Sequence, residues 1–74
     1  MIRYKNLSGS SGITAYIKGR DYIKVRFIDG TVYTYNYHNP GREHVEKMKK
    51  LVEAGRGLST YISVNVKGNY EQKE

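Results

Sequence analysis

Cationic and aromatic side chains share the first predicted hairpin, and proteins bind nucleic acid through these residue types. If residues 13–18 and 22–28 form two strands, alternation sends one set of side chains away from the apolar face. This set is Tyr16, Lys18, Tyr22, Lys24 and Arg26. Lysine and arginine bind phosphate, and tyrosine rings stack on bases. The pattern predicts a non-enzymatic binding surface for RNA or another single-stranded nucleic acid.

Two further arginines are candidates for the same anionic ligand. Arg20 follows Gly19 in the turn between the first two predicted strands, and Arg56 lies between Gly55 and Gly57. The competing explanation is that a small sheet carries bases on its solvated face only for solubility. Both explanations remain open at the level of the sequence.

Residues that could perform catalysis or bind metal are scarce. The chain has no cysteine, and its two histidines, His38 and His44, are six positions apart. Asp21 and Asp29 both fall in predicted turns. A metal site needs several clustered ligands, and a nucleophilic serine needs a base beside it. The sequence therefore predicts no enzyme, no metal site and no cofactor.

The length of 74 residues fits one small domain, and the net charge is +6. Residues 1–41 carry six bases and two acids, so most of the excess lies in the first half of the chain. No apolar run approaches the roughly 20 residues that cross a bilayer. We expect a cytoplasmic protein with an anionic partner and no membrane association.

Hydrophobic periodicity predicts an α+β fold with three antiparallel strands and one helix. The strands cover 13–18, 22–28 and 31–37, between a flexible lead-in at 1–12 and a polar tail at 69–74. The single domain then spans 13–68. Asn39-Pro40 has the residue types that open a helix, and Gly55 has the type that ends one. The apolar seam of this helix is Val45, Met48, Leu51 and Val52.

The segment 61–67 is compatible with two structures. Ile62, Val64 and Val66 alternate as they would in a strand, whereas Ile62 and Val66 alone would share one face of a helix. We expect a short helical or irregular segment here.

Tyr33 and Tyr35 lie on one face of the third strand, and the turn at Asp29-Gly30 decides which face that is. A two-residue turn pairs them with the basic residues of the second strand, where they could stack on a ligand. A three-residue turn with Gly30 at the left-handed position pairs them with its apolar residues, in the core. We favour the second register because a domain this small needs its aromatic residues in the core.

Several of these residues resemble the KTSC domain, named for its occurrence at the C-terminus of some lysyl-tRNA synthetases. The resemblance rests on Ser10-Ser11-Gly12-Ile13, on Val25-x-Phe27-x-x-Gly30-x-x-Tyr33-x-Tyr35, on a helix, and on a closing segment over 61–70. It covers about residues 10–70. It implies antiparallel strands, a helix and a short final segment, and the synthetase context suggests RNA binding.

Two other functions use the same surface. The chain could be a protein-interaction or self-associating domain that pairs through an open strand edge. It could also be an oligomer that sequesters a small phosphorylated nucleotide between subunits. We expect a homo-oligomer, since the core is small and the predicted sheet has open edges.

Overall fold

The computed structural model describes residues 1–7, 9 and 11–74 and shows an α+β fold. Within these residues, one antiparallel sheet has the strand order β1-β2-β3-β4-β5. The strands are β1 (Ile2–Arg3), β2 (Ile13–Lys18), β3 (Tyr22–Phe27), β4 (Val32–Asn36) and β5 (Gln72–Lys73). The helices are α1 (Arg42–Ala54) and α2 (Leu58–Tyr61), and α2 continues into a π-helical turn at Ile62–Val66. Ser8 and Ser10, in the predicted lead-in, lie outside the described residues.

The sheet has five strands where the sequence predicted three. The predicted lead-in contributes β1, in which Arg3 pairs with Ala15, and the predicted polar tail contributes β5, in which Lys73 pairs with Tyr33. Beyond β5, Val32 exchanges two backbone hydrogen bonds with Glu74, at 2.9 and 2.7 Å. Strand β5 covers two residues, too few to show an alternating pattern, and β1 lies within residues that were assigned to the lead-in as a whole.

The β3-β4 hairpin has the predicted three-residue turn. Val25 pairs with Tyr33, and the Phe27 N–H donates to the Thr31 carbonyl at 2.9 Å. Gly30 has a φ of 89°, a left-handed conformation that glycine adopts without steric cost. Tyr35 is consequently only 2% exposed, in the core, as the register argument predicted.

A β-bulge in β2 overturns the predicted faces of that strand. Ile13 pairs with Phe27, but the next pair is Ala15 with Arg26, so β2 has one extra residue at this point. One extra residue moves every following side chain to the opposite face. Tyr16 therefore lies in the core, 8% exposed, instead of on the polar face.

Helix α1 begins later than predicted. Its N-cap is Gly41, while the Asn39-Pro40 peptide is cis and precedes the helix. The Asn39 side chain donates to the Tyr70 carbonyl at 3.0 Å, so it holds the C-terminal segment and does not cap α1. The predicted C-terminus is confirmed, because Gly55 is left-handed and its N–H donates to the Leu51 carbonyl at 3.0 Å.

The core lies between one face of the sheet and the helical layer. Ile62 and Val66 are buried whereas Val64 is 74% exposed, which confirms the helical alternative for this segment. No helix within the described residues is long and apolar enough to span a membrane. The largest fully buried side chains are Ile23, Val25, Val45, Met48, Val52, Leu58 and Val66.

Candidate nucleic-acid interface

The face of the sheet opposite the helical layer carries the cations Arg3, Lys24 and Arg26, and we call it the open face. Strand register assigns residues to it, because directly paired residues point the same way and neighbours in a strand alternate. Arg26 pairs with Ala15 on one side, and Ala15 pairs with Arg3 on the other. The open face thus carries Arg3, Ala15, Ile17, Tyr22, Lys24 and Arg26.

Two arginines flank a small residue in one row across three strands. Strand spacing puts the Cα atoms of Arg3 and Arg26 roughly 10 Å apart, with Ala15 between them. Thr14 forms two hydrogen bonds with Arg26. The Arg26 Nε donates to the Thr14 Oγ1 at 3.3 Å, and the Thr14 hydroxyl donates to the Arg26 carbonyl at 3.3 Å. The row thus places one arginine on β1 and one on β3, on either side of β2.

A concavity of about 610 Å³ lies beside this row, and we call it the basic groove. Arg3, Lys5 and Arg26 line it, with Thr14 and Ala15 between them. No carboxylate of the described residues lines it. Three cations around one concave surface can hold phosphate groups, and arginine can do so with two parallel hydrogen bonds.

The cations of the open face differ in their partners. Among residues 1–7, 9 and 11–74, neither Arg3 nor Arg26 forms an ion pair, whereas Lys24 has its Nζ 3.5 Å from the Glu74 carboxylate. Both side chains of the Lys24 pair are partly exposed, and such surface pairs are weak. A phosphate could therefore displace Glu74 from Lys24 at little cost.

Among the described residues, Tyr22 supplies the aromatic ring of the open face. Tyr22 is half-buried at the start of β3, and its ring covers Gly19, where an added Cβ would overlap the ring. The Gly19 N–H donates to the Tyr22 carbonyl at 2.9 Å and closes the turn beneath the ring. Glycine at position 19 thus leaves the space that the Tyr22 ring occupies.

The structure separates the predicted binding residues. Tyr22, Lys24 and Arg26 share the open face, but Tyr16 and Lys18 point to the helical layer because of the bulge. Lys18 forms an ion pair with Glu53 of α1, and this hydrogen bond raises the pKa of Lys18 and lowers the pKa of Glu53.

Arg20 and Arg56 lie in turns away from the strands. The Arg20 carbonyl accepts a hydrogen bond from the Lys49 Nζ at 3.0 Å. The Arg20 side chain is exposed in the β2-β3 turn. Arg56 is exposed between α1 and α2, in the helical layer. Neither residue lines the basic groove.

Sequence reasoning missed Arg3 and Lys5 because it treated residues 1–12 as a lead-in. A signal was present, since Ile2, Arg3, Tyr4 and Lys5 alternate between apolar and basic types. In the structure Tyr4 is buried in the core, and its N–H donates to the Thr14 carbonyl at 3.0 Å. Burial also raises the pKa of Tyr4. Tyr4 thus anchors the segment that brings Arg3 to the sheet.

A second concavity, of about 520 Å³, lies at the hairpin end of the sheet, and we call it the aromatic groove. Phe27, Tyr33, Tyr35 and Tyr70 line it. The Tyr33 ring meets the Phe27 ring edge-on at 5.4 Å and the Tyr70 ring at 4.9 Å. Burial raises the pKa of Tyr35 well above its ordinary value. These rings form a continuous aromatic wall.

Tyr37 belongs to a structural cluster. Its hydroxyl donates to the Glu46 carboxylate at 2.6 Å, and the cations of Arg42 and Lys49 lie 5.7 and 5.9 Å from its ring centre. The shared hydrogen bond raises the pKa of Tyr37 and lowers the pKa of Glu46. The contacts join the end of β4 to α1.

The two histidines also have protein partners. The His38 Nδ1 lies 2.8 Å from a Glu71 oxygen, and the His44 Nδ1 lies 2.7 Å from the Tyr61 hydroxyl. In the part of the chain that the structure describes, no three residues of the types His, Cys, Asp and Glu are grouped to hold a metal ion.

Comparisons with family models, with curated proteins and with solved structures find no match to this chain.

Proposed function

We propose that the protein is a non-enzymatic module that binds RNA or another single-stranded nucleic acid through the basic groove and the adjoining open face. The observation that carries the proposal is the row of Arg3, Ala15 and Arg26 across three strands. Arg3 and Arg26 hold phosphates, Lys24 holds a neighbouring phosphate, and Tyr22 stacks on a base. The proposal needs no cofactor.

Single strands fit this surface better than duplex DNA. Duplex readers commonly insert a helix into the major groove. Here Val45, Met48 and Val52 of α1 are buried against the sheet, and its charged side chains include four bases and three acids. A sheet face with cations and an accessible ring is instead the kind of surface on which unpaired nucleotides lie. The resemblance to the KTSC domain remains a prediction and implies the same ligand class.

The test compares three glutamine variants in binding to a single-stranded RNA oligonucleotide. We expect Arg3→Gln and Arg26→Gln to weaken binding and to lower the slope of log affinity against log salt by about 0.7 for each lost contact. Arg56→Gln is the matched control, because Arg56 is an exposed arginine outside the basic groove. Fluorescence anisotropy over a series of salt concentrations measures both quantities.

Two results would contradict the proposal. One is a wild-type protein that binds neither RNA nor single-stranded DNA at about 20 mM salt, where screening is weak. The other is an equal loss of affinity in Arg3→Gln, Arg26→Gln and Arg56→Gln, which would indicate attraction by net charge without a localised site.

A further inference from the structure

We propose that the aromatic groove holds one unstacked nucleobase, with the attached phosphate beside Lys73. The inference rests on the proposed function in one respect: in the cell, the base belongs to the strand bound at the basic groove. The groove has rings and charges of its own, independent of the basic groove.

The rings of the groove offer both edges and faces. Tyr33 and Tyr70 meet at 66° with their centres 4.9 Å apart, and Phe27 stands at 89° to Tyr33. Phe27, Tyr33 and Tyr70 are half-buried, so part of their surface remains accessible. A planar heterocycle can stack on one such ring while it meets the edge of the next.

The floor of the groove is apolar and its size fits a nucleotide. Tyr35 and Ile62 are buried and line the groove, so an inserted ring would replace water over apolar surface. The volume of about 520 Å³ lies within the range of roughly 300 to 1,000 Å³ in which small-molecule sites fall.

The charge at the rim selects an anionic occupant. The Lys73 Nζ lies 5.8 Å from the Tyr33 ring centre, and Lys67 lines the groove. Asp29 is the one acidic residue among the described residues that line it, and its carboxylate accepts the Thr31 N–H at 2.9 Å. An aromatic wall below two lysines suits a base with a phosphate, whereas an aliphatic peptide would gain nothing from the lysines.

The test uses adenosine 5′-monophosphate and adenosine as probes and maps their binding by backbone amide chemical shifts. We expect the monophosphate to shift the amides of Tyr33, Gly68 and Tyr70. We expect Tyr70→Leu, which keeps an apolar side chain but removes the ring, to weaken binding of both probes about tenfold. If Tyr70→Leu does not fold, Lys73→Gln serves as the second variant, because it should weaken binding of the monophosphate and leave adenosine binding unchanged. Lys50→Gln, an exposed lysine of α1, is the control.

Three outcomes would overturn the inference. The first is the absence of shifts at the groove with about 10 mM probe, which excludes even millimolar affinity. The second is a set of shifts confined to Arg3, Lys5 and Arg26, which would place the nucleotide in the basic groove only. The third is a change in the chemical shifts of the groove amides when the protein concentration alone is varied. This would show that a second copy of the chain occupies the groove. Adenosine carries no phosphate, so its binding can persist even if the basic groove binds no RNA, and the two proposals can fail separately.

Discussion

Thr34 lies in the middle of the sheet with a buried hydroxyl that has no hydrogen-bond partner among the described residues. A buried hydroxyl without a partner costs free energy that an apolar group of the same shape does not. We therefore expect Thr34→Val to raise the free energy of unfolding by about 1 kcal/mol. Urea denaturation would measure the change. Thr14→Val is the control and should not stabilise the fold, because the Thr14 hydroxyl bonds to Arg26; a destabilised Thr34→Val protein would contradict the prediction.

The buried phenol of Tyr35 should make the protein sensitive to alkali. Burial raises its pKa above the ordinary 10.0, so the folded state favours the neutral phenol. Its contribution to stability is complete below pH 10.0 and is lost as the pH rises toward the raised value. We expect Tyr35→Phe to lose less stability than wild type between about pH 8 and about pH 11. The measurement is the free energy of unfolding against pH, with Tyr22→Phe on the open face as the control. Equal slopes for wild type and Tyr35→Phe would refute the assignment.

Two glycines with a left-handed backbone conformation lie at structural boundaries, Gly30 in the β3-β4 turn and Gly55 at the end of α1. Gly30 and Gly55 have φ values of 89° and 78°, so alanine at either position is strained. Gly30 has open space around it, and we expect Gly30→Ala to cost about 1 kcal/mol from backbone strain alone. At Gly55 an added Cβ would lie 2.7 Å from the Lys5 Cβ, so Gly55→Ala should cost more. Thermal unfolding of the two variants gives the comparison, and a smaller loss for Gly55→Ala would contradict it.

The sequence predicted correctly those elements that are determined by residues within or next to them. The β3-β4 register follows from Asp29-Gly30 and from the need to place Tyr33 and Tyr35 on the core face, where Tyr35 is buried and Tyr33 half-buried. Helix α1 follows from an apolar seam that ends at Gly55. The bulge after Ile13 has no such local signal, because it depends on how the whole sheet packs. Alternation was therefore reliable in β3 and failed in β2 from the bulge after Ile13 onward. The same reasoning located Lys24 and Arg26 correctly and Tyr16 and Lys18 on the wrong face.

None of the described acidic residues lines the basic groove, and Glu74 is the one paired with a lysine of the open face. Glu46 and Glu53 pair with lysines on the helical side, and Glu71 lies beside His38. The net charge of +6 is consequently least compensated near Arg3 and Arg26. A groove lined by three cations and no described carboxylate attracts anionic ligands over distances of about a Debye length, and the attraction falls with salt.

The same charge should control self-association, which remains a prediction for this chain. Strand β1 is an edge of the sheet, and its Ile2 is 56% exposed, so two copies could pair edge to edge there. Such pairing would bring two Arg3 side chains together, and their repulsion weakens as salt screens it. We therefore expect a dimer fraction that rises between about 50 mM and about 500 mM salt, while RNA affinity falls over the same range.

Light scattering on the chromatographed protein would measure the dimer fraction. Ile2→Lys should abolish the dimer, because a charge on an edge strand opposes pairing. Ile28→Lys is the matched control: Ile28 is also exposed, at 81%, but it lies beside the aromatic groove. Loss of the dimer in Ile28→Lys and its persistence in Ile2→Lys would place the contact at the hairpin end. A monomer at every salt concentration would remove self-association, and nucleic-acid binding would then have to come from the basic groove of a single chain.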